Sequence, residues 1–390
     1  MTRTDSLPGR LALMVAHCAG MVDLVALPVW VGALIAHYRF DAQQAGLLAT
    51  LFLGAAVLAS AVLAPRVHRL PGRLVATLGF GGATAGFAAA ATTSDFGSLA
   101  ALHGLSGLAA GAALSVTHGS IARSARPHRL FAIVGMALGV FGILFMAATP
   151  PLVARLGGPL LFQVFAGIMA VATLVSMLAF PGPDAPAAAA AAPAATAIQA
   201  AALPPAVWFG IAGIACMALV QAMTFSFLER VGHERGFGLA AITGVLVALG
   251  VVNLFPAALA ALLERRWSAR RVLLAGPVLQ AGLVLVIMNA ASFAAYAAAA
   301  SVFAAVMIFT HTFAFGLLAG LDRSGHAMAA TPAMLMVGAA IGPILGGSLV
   351  KGLGYGSLGW AAVAIATLAV ACFSRLPSQP GATAPQEALA

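Results

Sequence analysis

Twelve apolar stretches, most of them bounded by charged or proline-containing breaks, constrain this chain more than any other feature. A helix needs about 20 apolar residues to cross the hydrocarbon core of a membrane. The stretches that reach this length are 11–37, 45–65, 74–93, 99–122, 130–152, 158–180, 206–228, 238–262, 271–291, 293–319, 327–350 and 355–374. Membrane β-strands would instead alternate apolar and polar residues over about ten positions, and these stretches do not. We therefore predict an all-α polytopic membrane protein with 12 transmembrane helices.

The composition excludes the main soluble classes. Hydrophobic residues make up 62% of the chain and charged residues 7%, whereas soluble domains carry about 25% charged residues. Disordered chains are poor in apolar residues, so extended disorder is excluded by the same values. No P-loop, G-x-S-x-G or H-E-x-x-H motif occurs, and we therefore expect neither an enzyme nor a cofactor.

Basic residues predict how the chain is oriented. Of the 19 Lys and Arg residues, 14 fall in the loops and tails on the side of the N-terminus and 5 on the opposite side. Loops rich in Lys and Arg stay in the cytoplasm. We therefore expect both termini in the cytoplasm and the protein in the inner membrane of a bacterium. This placement also accounts for the net charge of +9, so a nucleic-acid partner is not expected.

An Ala/Pro-rich segment divides the chain into two halves. Residues 181–205 contain repeated prolines and few bulky apolar side chains, which disfavours both a long helix and membrane insertion. We predict an N-terminal six-helix bundle at 1–180, a cytoplasmic linker at 181–205, a C-terminal six-helix bundle at 206–376 and a disordered cytoplasmic tail at 377–390.

The two halves repeat one another. Basic loops at 66–73 and 264–271 follow the second and the eighth stretch, and aligning Arg73 with Arg271 gives an offset of 198 residues. Under this offset Asp23 falls on Gln221, so each half carries a polar residue in its first apolar stretch. Duplicated halves with a site between them are typical of secondary transporters.

These features resemble the major facilitator superfamily over nearly the whole chain. The sequence of 65–73, PRVHRLPGR, is similar to the family's G-x-x-x-D-R-x-G-R-R loop but has no Asp, and 264–271 keeps an acidic residue but has no glycine. His103 and Gly107 have the spacing of an Arg and a Gly in the fourth helix of drug-exporting members. The run 338–347 has small residues spaced by four, as in helix 11. The resemblance implies two pseudo-symmetric bundles with helices 1, 4, 7 and 10 around a central cavity.

Ionisable side chains inside the stretches are candidates for function, because they are costly in a membrane. They are His17, Asp23, His103, His118, Glu229 and His311. All six lie on the four helices that line the cavity in the resembled family. We expect His118 at the membrane interface, His17 on a different face from Asp23, and Glu229 at the outer rim, paired with Arg230 or Arg235.

Asp23 is the strongest candidate, since it lies about halfway along the first stretch. A carboxylate there could take up and release a proton or pair with a cationic substrate; the alternative is a hydrogen bond that only holds two helices together. His103 is the second candidate for proton coupling, because histidine titrates near neutral pH. It could equally be a hydrogen-bonded packing residue.

The predicted substrate contacts combine these residues with uncharged polar and aromatic ones. They are Asp23, His103, Gln221, His311, Asn253 and Trp30. Trp30 would suit an interface anchor equally well. His and Cys residues show no ligand spacing on one helix, such as H-x-x-x-H or C-x-x-C, so no metal site is expected.

The predicted function is proton-coupled secondary transport by a monomer in the lipid bilayer. No Lys or Arg lies near the centre of a stretch, which argues against an anionic substrate because a bare anion needs a fixed positive partner. We therefore expect a small neutral or cationic organic solute, moved outward by antiport with protons. The alternatives are an uptake permease for a nutrient, siderophore or metal chelate, and a non-transporting membrane sensor or assembly factor.

Overall fold

A computed structural model describes residues 3–182, 204–264, 266–321 and 326–377, without the side chains of residues 68 and 326–334. The predicted linker and tail lie outside these residues, apart from residues 181, 182, 204, 205 and 377. The helices are α1 (Leu7–Gly20), α2 (Val22–Tyr38), α3 (Ala42–Leu63), α4 (Gly72–Ala90), α5 (Phe96–Ala122), α6 (Pro127–Leu156), α7 (Pro159–Ala179), α8 (Pro205–Glu234), α9 (Leu239–Val252), α10 (Pro256–Leu263), α11 (Ala269–Asn289), α12 (Phe293–Leu321), α13 (His326–Leu353) and α14 (Gly356–Ser374). A short 3-10 helix, Ala64–Arg69, follows α3.

These helices form twelve membrane crossings, as the sequence predicts. The first crossing (span 1) consists of α1 and α2, the eighth (span 8) of α9 and α10, and the others are single helices. Eleven of the twelve have the length and apolar character of a span. The remaining one, α4, has five glycines and Arg73 in its first turn, which lower its hydropathy. It nevertheless packs between α5 and α7 like the other spans.

Side-chain caps fix several helix starts in the loops. Ser6 accepts a hydrogen bond from the N–H of Gly9 at the start of α1. At α3, Asp41 and Gln44 form a reciprocal capping box, and Asp95 accepts from the N–H of Ser98 at α5. That hydrogen bond lowers the pKa of Asp95. Such caps satisfy N–H groups that a helix start leaves without partners.

Two glycines allow α5 to cross α3 at very short range in the N-terminal half. A Cβ on Gly107 would meet the carbonyl of Phe52, and a Cβ on Gly111 would meet the carbonyl of Ala56. Small residues permit such approaches between membrane helices. The spacing of Gly107 after His103 therefore has a packing role in this fold.

The glycine run of α13 serves two interfaces. A Cβ on Gly338 would meet the carbonyl of Ala215, and one on Gly342 would meet the backbone of Met223, both in α8 of the same half. Gly347 instead lies against Ala42 of α3, in the other half. The small residues thus bring α13 close to both halves at once.

Two spans that the sequence predicts as continuous are broken in the structure. Span 1 stops at Gly20 and restarts at Val22, with Met21 at φ −110° and ψ 12°. In span 8, α9 ends with i to i−3 hydrogen bonds at Leu254 and Phe255. The next helix, α10, begins at Pro256, which has no N–H that could continue α9. Pro28 lies inside the uninterrupted helix α2 and does not break span 1.

The polar contacts between the two halves lie at the end of the molecule that holds the loop between α2 and α3, here called the distal end. Asp41 pairs with Lys351 at 2.9 Å, and Thr50 donates to the carbonyl of Ala340 at 2.7 Å and accepts from the N–H of Ile344 at 3.1 Å. Among the described residues, the polar contacts between the halves all lie in residues 41–50 and 340–351. The opposite face, which holds the termini, is here called the proximal end.

Candidate functional site

Asp23 lies in the first turn of α2, directly after the break in span 1. Its side chain is 2% exposed, and its Oδ1 accepts the N–H of Leu24 at 2.9 Å. A carboxylate at this place stabilises a helix start through the free N–H groups and the helix dipole. No ion pair to Asp23 is formed by the part of the chain that the structure describes. The break therefore supplies a site for one buried carboxylate without a cationic partner.

His103 and Trp30 contact each other inside the N-terminal bundle. The indole Nε1–H of Trp30 donates to Nε2 of His103 at 3.3 Å, and Nδ1 of His103 lies 2.6 Å from the carbonyl of Leu99. Because the indole can only donate, Nε2 must be unprotonated and the proton sits on Nδ1. Both ring nitrogens are thus engaged in a neutral imidazole.

An aromatic cluster surrounds this pair. Trp30 packs edge-on against Phe52 of α3, Phe87 of α4 and Phe165 of α7, with ring centroids 4.9–6.1 Å apart. His103 and Trp30, predicted at the substrate site, therefore face the core of their own half in this conformation. Contact of these two residues with a solute stays a prediction.

His17 and His118 form a second histidine contact that the sequence did not indicate. Nδ1 of His17 lies 3.1 Å from Nε2 of His118, and His118 also packs edge-on against Phe131 of α6. His118, expected at the interface, is half-buried between helices, and His17 is buried. The two rings meet because α1 packs against α5. Residue spacing along the sequence does not indicate such a contact between distant helices.

Glu229 occupies the crossing of span 1 and span 7 rather than an outer rim. Its Oε2 packs against Gly32 of α2, where an added Cβ would lie only 3.0 Å from this oxygen. The oxygen is buried and has no hydrogen-bond partner among the described residues. Its Oε1 lies 3.6 Å from Nε2 of His233. The expected pairing with Arg230 or Arg235 is wrong, because Arg230 pairs with Glu234 at 2.6 Å and Arg235 donates to the carbonyl of Met288.

Gln221 is held by a second amide that lies deeper in the C-terminal bundle. Nε2 of Gln280, in α11, donates to Oε1 of Gln221 and to the carbonyl of Met217, both at 3.2 Å. Gln280 is 1% exposed, whereas Gln221 is half-buried. The pair fixes the orientation of Gln221 and leaves the amide NH2 of Gln221 as a donor.

Asn253 and His311 complete the predicted set. Asn253 follows α9 at the break in span 8, next to Leu254, whose side chain reaches Gly139 of the N-terminal half. Its buried Oδ1 has no partner within the described ranges. Nδ1 of His311 is also buried and forms no hydrogen bond of standard geometry with any described residue. The backbone carbonyl of Met307, one turn earlier, is the polar group that interacts with this ring. The ring packs against Phe315 at 4.9 Å.

The predicted residues therefore fall into separate groups. His103 and Trp30 contact one another, Gln221 joins Gln280, and no described contact links Asp23, Asn253 and His311 directly. No group of three or more His, Cys, Asp or Glu with metal-binding geometry occurs within the described residues. Glu229 and Gln280 are further buried polar residues of the interior, and they lie outside the predicted set of solute contacts.

Comparisons with known proteins agree with this architecture. The model of the Major Facilitator Superfamily matches residues 12–321. A search of curated protein sequences finds no match. The crystal structure of the nucleoside transporter NupG is similar, with 14% sequence identity and a TM-score of 0.71, covering 94% of this chain and 98% of that one. A point mutant of the same transporter gives a TM-score of 0.73, at 94% and 99% coverage and the same identity.

A bacterial homologue of the human lysosomal transporter Spinster, in an inward-facing and unoccupied conformation, is similar with a TM-score of 0.66 and 15% identity, covering 95% of each chain. At such identities the likeness concerns the fold alone. The family match spans more than half of the chain. The protein is a membrane transporter and not an enzyme, and it belongs to the major facilitator superfamily.

Proposed function

We propose that the protein is a proton-coupled secondary transporter that moves a small neutral or cationic organic solute across the bacterial inner membrane. The observation that carries this proposal is the buried Asp23 carboxylate at the break of span 1. A desolvated carboxylate without a cation can exist neutral or can gain a counter-ion, and both states serve a proton-coupled exchange. With the termini in the cytoplasm, the distal end, which holds the polar contacts between the halves, is periplasmic.

Glu229 supports the same function from the other half. Its unpartnered Oε2 lies against the backbone of Gly32 only while spans 1 and 7 are packed together. Opening of the distal end would separate this oxygen from Gly32 and expose it to water. Asp23 and Glu229 therefore provide two carboxylates whose surroundings depend on the conformation. Asp23, Gln221, Asn253 and His311 remain the proposed solute contacts, with His103 and Trp30 behind them.

Efflux is the proposed direction, because the spacing of His103 and Gly107 resembles that of drug-exporting members. One of the similar structures is that of a nucleoside transporter, so nucleosides belong beside cationic dyes in any substrate panel. A thermal-shift screen of purified protein at mildly acidic and mildly alkaline pH selects the solute. Its flux is then followed in proteoliposomes with and without an imposed pH gradient.

We expect Asp23→Asn to lower gradient-driven flux by at least about tenfold, since a neutral amide cannot carry a proton. Asp95→Asn is the matched control, because Asp95 is an exposed carboxylate of the same half and should leave the flux within about twofold. Normal gradient-driven flux in Asp23→Asn would reject the coupling role. Flux of no solute under any gradient would reject transport by this chain.

A further inference from the structure

A groove opens in the C-terminal half between spans 8, 9 and 10, close to the proximal end. Its volume is about 760 Å3 and its walls are almost entirely apolar. One wall is formed at the break in span 8, by Phe255, Pro256 and Leu259. The other walls include Leu279 of span 9 and Phe309 of span 10. Phe255, Leu259 and Leu279 are 63%, 48% and 55% exposed. The groove is therefore open towards the lipid rather than enclosed in the protein.

The mouth of the groove is cationic, although its walls are apolar. Arg266 and Arg271 line it, and neither guanidinium has a hydrogen-bond or ion-pair partner within the described parts of the chain. In the N-terminal half, Arg73 donates to the carbonyl of Leu178 at the end of span 6. In the C-terminal half, Arg270 makes the equivalent contact with Ser374 at the end of span 12. Arg271, the counterpart of Arg73 under the offset of 198, therefore makes no such contact with a helix end among the described residues.

A helix start adds to this positive field. Ser268 precedes α11 at the mouth of the groove but makes no side-chain cap, so the first N–H groups of this 21-residue helix are open to a ligand. Helix starts attract anions, above all phosphate. Trp267, 52% exposed, packs edge-on against Phe309 at 5.8 Å and has the position of an aromatic residue at a membrane interface.

We propose that this groove binds an anionic phospholipid, with the phosphate at Arg266, Arg271 and the start of α11 and an acyl chain along Phe255, Leu259 and Leu279. The apolar walls suit a hydrocarbon chain, and the guanidinium groups at the mouth attract a negative headgroup. Basic pockets between membrane helices at the cytoplasmic side are suited to anionic lipid headgroups. The occupant would hold spans 8 and 10 at their present separation.

Quenching of Trp267 fluorescence by lipids with brominated acyl chains tests the proposal. In full-length protein carrying Trp208→Phe and Trp360→Phe, Trp267 is the exposed tryptophan, because Trp30 is buried. Brominated phosphatidylglycerol should quench Trp267 with at least about fivefold higher relative affinity than brominated phosphatidylcholine, given roughly fivefold per basic residue. Arg266→Gln with Arg271→Gln should reduce this preference to about one, whereas Arg271→Lys, which keeps the charge, should retain it.

Arg66→Gln with Arg126→Gln is the matched control, since both arginines are exposed at the proximal end of the other half and lie outside the groove. This variant should keep the preference. Equal quenching by the two lipids in the parent protein would overturn the proposal, and so would a preference that survives Arg266→Gln with Arg271→Gln. Displacement of brominated phosphatidylglycerol by inorganic phosphate would assign the site to a soluble anion instead.

Discussion

The two halves pack their second and fourth spans in opposite ways. In the N-terminal half, Gly107 and Gly111 bring α5 against the carbonyls of Phe52 and Ala56. The offset of 198 places Ala305 and Phe309 at the equivalent positions of α12, and both line the open groove. A larger side chain where its counterpart has glycine keeps two helices apart. One duplicated frame thus gives a tightly closed bundle and a bundle with a lateral opening.

The interiors of the halves differ as well. His103 and Trp30 hydrogen-bond in the N-terminal core, whereas the offset carries them to Ser301 and Leu228, which form no such pair. The C-terminal interior instead holds two glutamines, Gln221 and Gln280. The halves therefore share their helix frame but not their polar groups.

The largest effect is expected at the closed helix crossing. Gly107→Leu should cost about 3 kcal/mol, at the upper end for overpacking, because the new side chain meets the backbone of Phe52. Thermal unfolding, monitored by size-exclusion chromatography, measures this loss of stability. Gly104→Leu is the control on the same helix, where a Cβ would have no neighbour within 4 Å.

Ala305→Leu is the counterpart in the other half and should change the unfolding temperature little, because its side chain enters the groove. If Gly104→Leu or Ala305→Leu lowered the unfolding temperature as much as Gly107→Leu, the contrast between closed and open crossings would be disproved.

A middle-sized effect is expected from the polar pair of the N-terminal half. His103→Leu leaves the buried indole N–H of Trp30 without an acceptor, which should cost about 1–3 kcal/mol of stability. His103→Gln keeps an acceptor and should recover most of that loss. The pH profile of transport separates a positioning role from proton coupling: a positioning residue predicts that His103→Gln leaves the profile unchanged, while a shifted profile would assign a proton to His103.

The smallest effect is expected where the halves join. The pKa of Asp41 is raised by burial, but the hydrogen bond from Lys351 and the N–H of Gln44 outweigh this and lower it overall. An aspartate with a lowered pKa contributes stability above its unfolded value, near 4, and loses it only as the pH falls through the folded value. This ion pair is therefore constant across neutral pH. Since the pair is largely exposed, we expect Lys351→Gln to favour opening by at most about 1 kcal/mol.

Electron–electron double resonance distances between spin labels at Ser94→Cys and Ser292→Cys, in a background without the native cysteines, report this opening. The two serines are exposed on distal loops of the two halves. Arg39→Gln, in the same distal region but without a described ion pair, serves as the control. An effect of Lys351→Gln on this distance that changed between two pH values near neutrality would contradict an ion pair that is constant in this range.

Much of the frame could be predicted, but little of the side-chain arrangement. Twelve crossings, the division into halves and the basic proximal loops follow from composition and spacing. The break at Met21 did not, because the contacts around it, such as the approach of Gly20 to Leu114 of α5, come from residues far along the chain. Glu229 was misplaced for a similar reason: a carboxylate near the end of an apolar stretch suggests a rim, whereas the crossing of spans 1 and 7 buries it.

The sequence by itself determined how often the chain crosses the membrane and that its halves repeat, since lipid demands about 20 apolar residues for each span. Only the tertiary structure decided which face of each span meets a neighbour. In a soluble helix the apolar stripe marks the buried face, but in lipid both faces are apolar and the stripe disappears. The meeting of His17 with His118, the burial of Glu229 and the opening between spans 8 and 10 were therefore set by helix rotation and packing, which spacing along the chain does not encode.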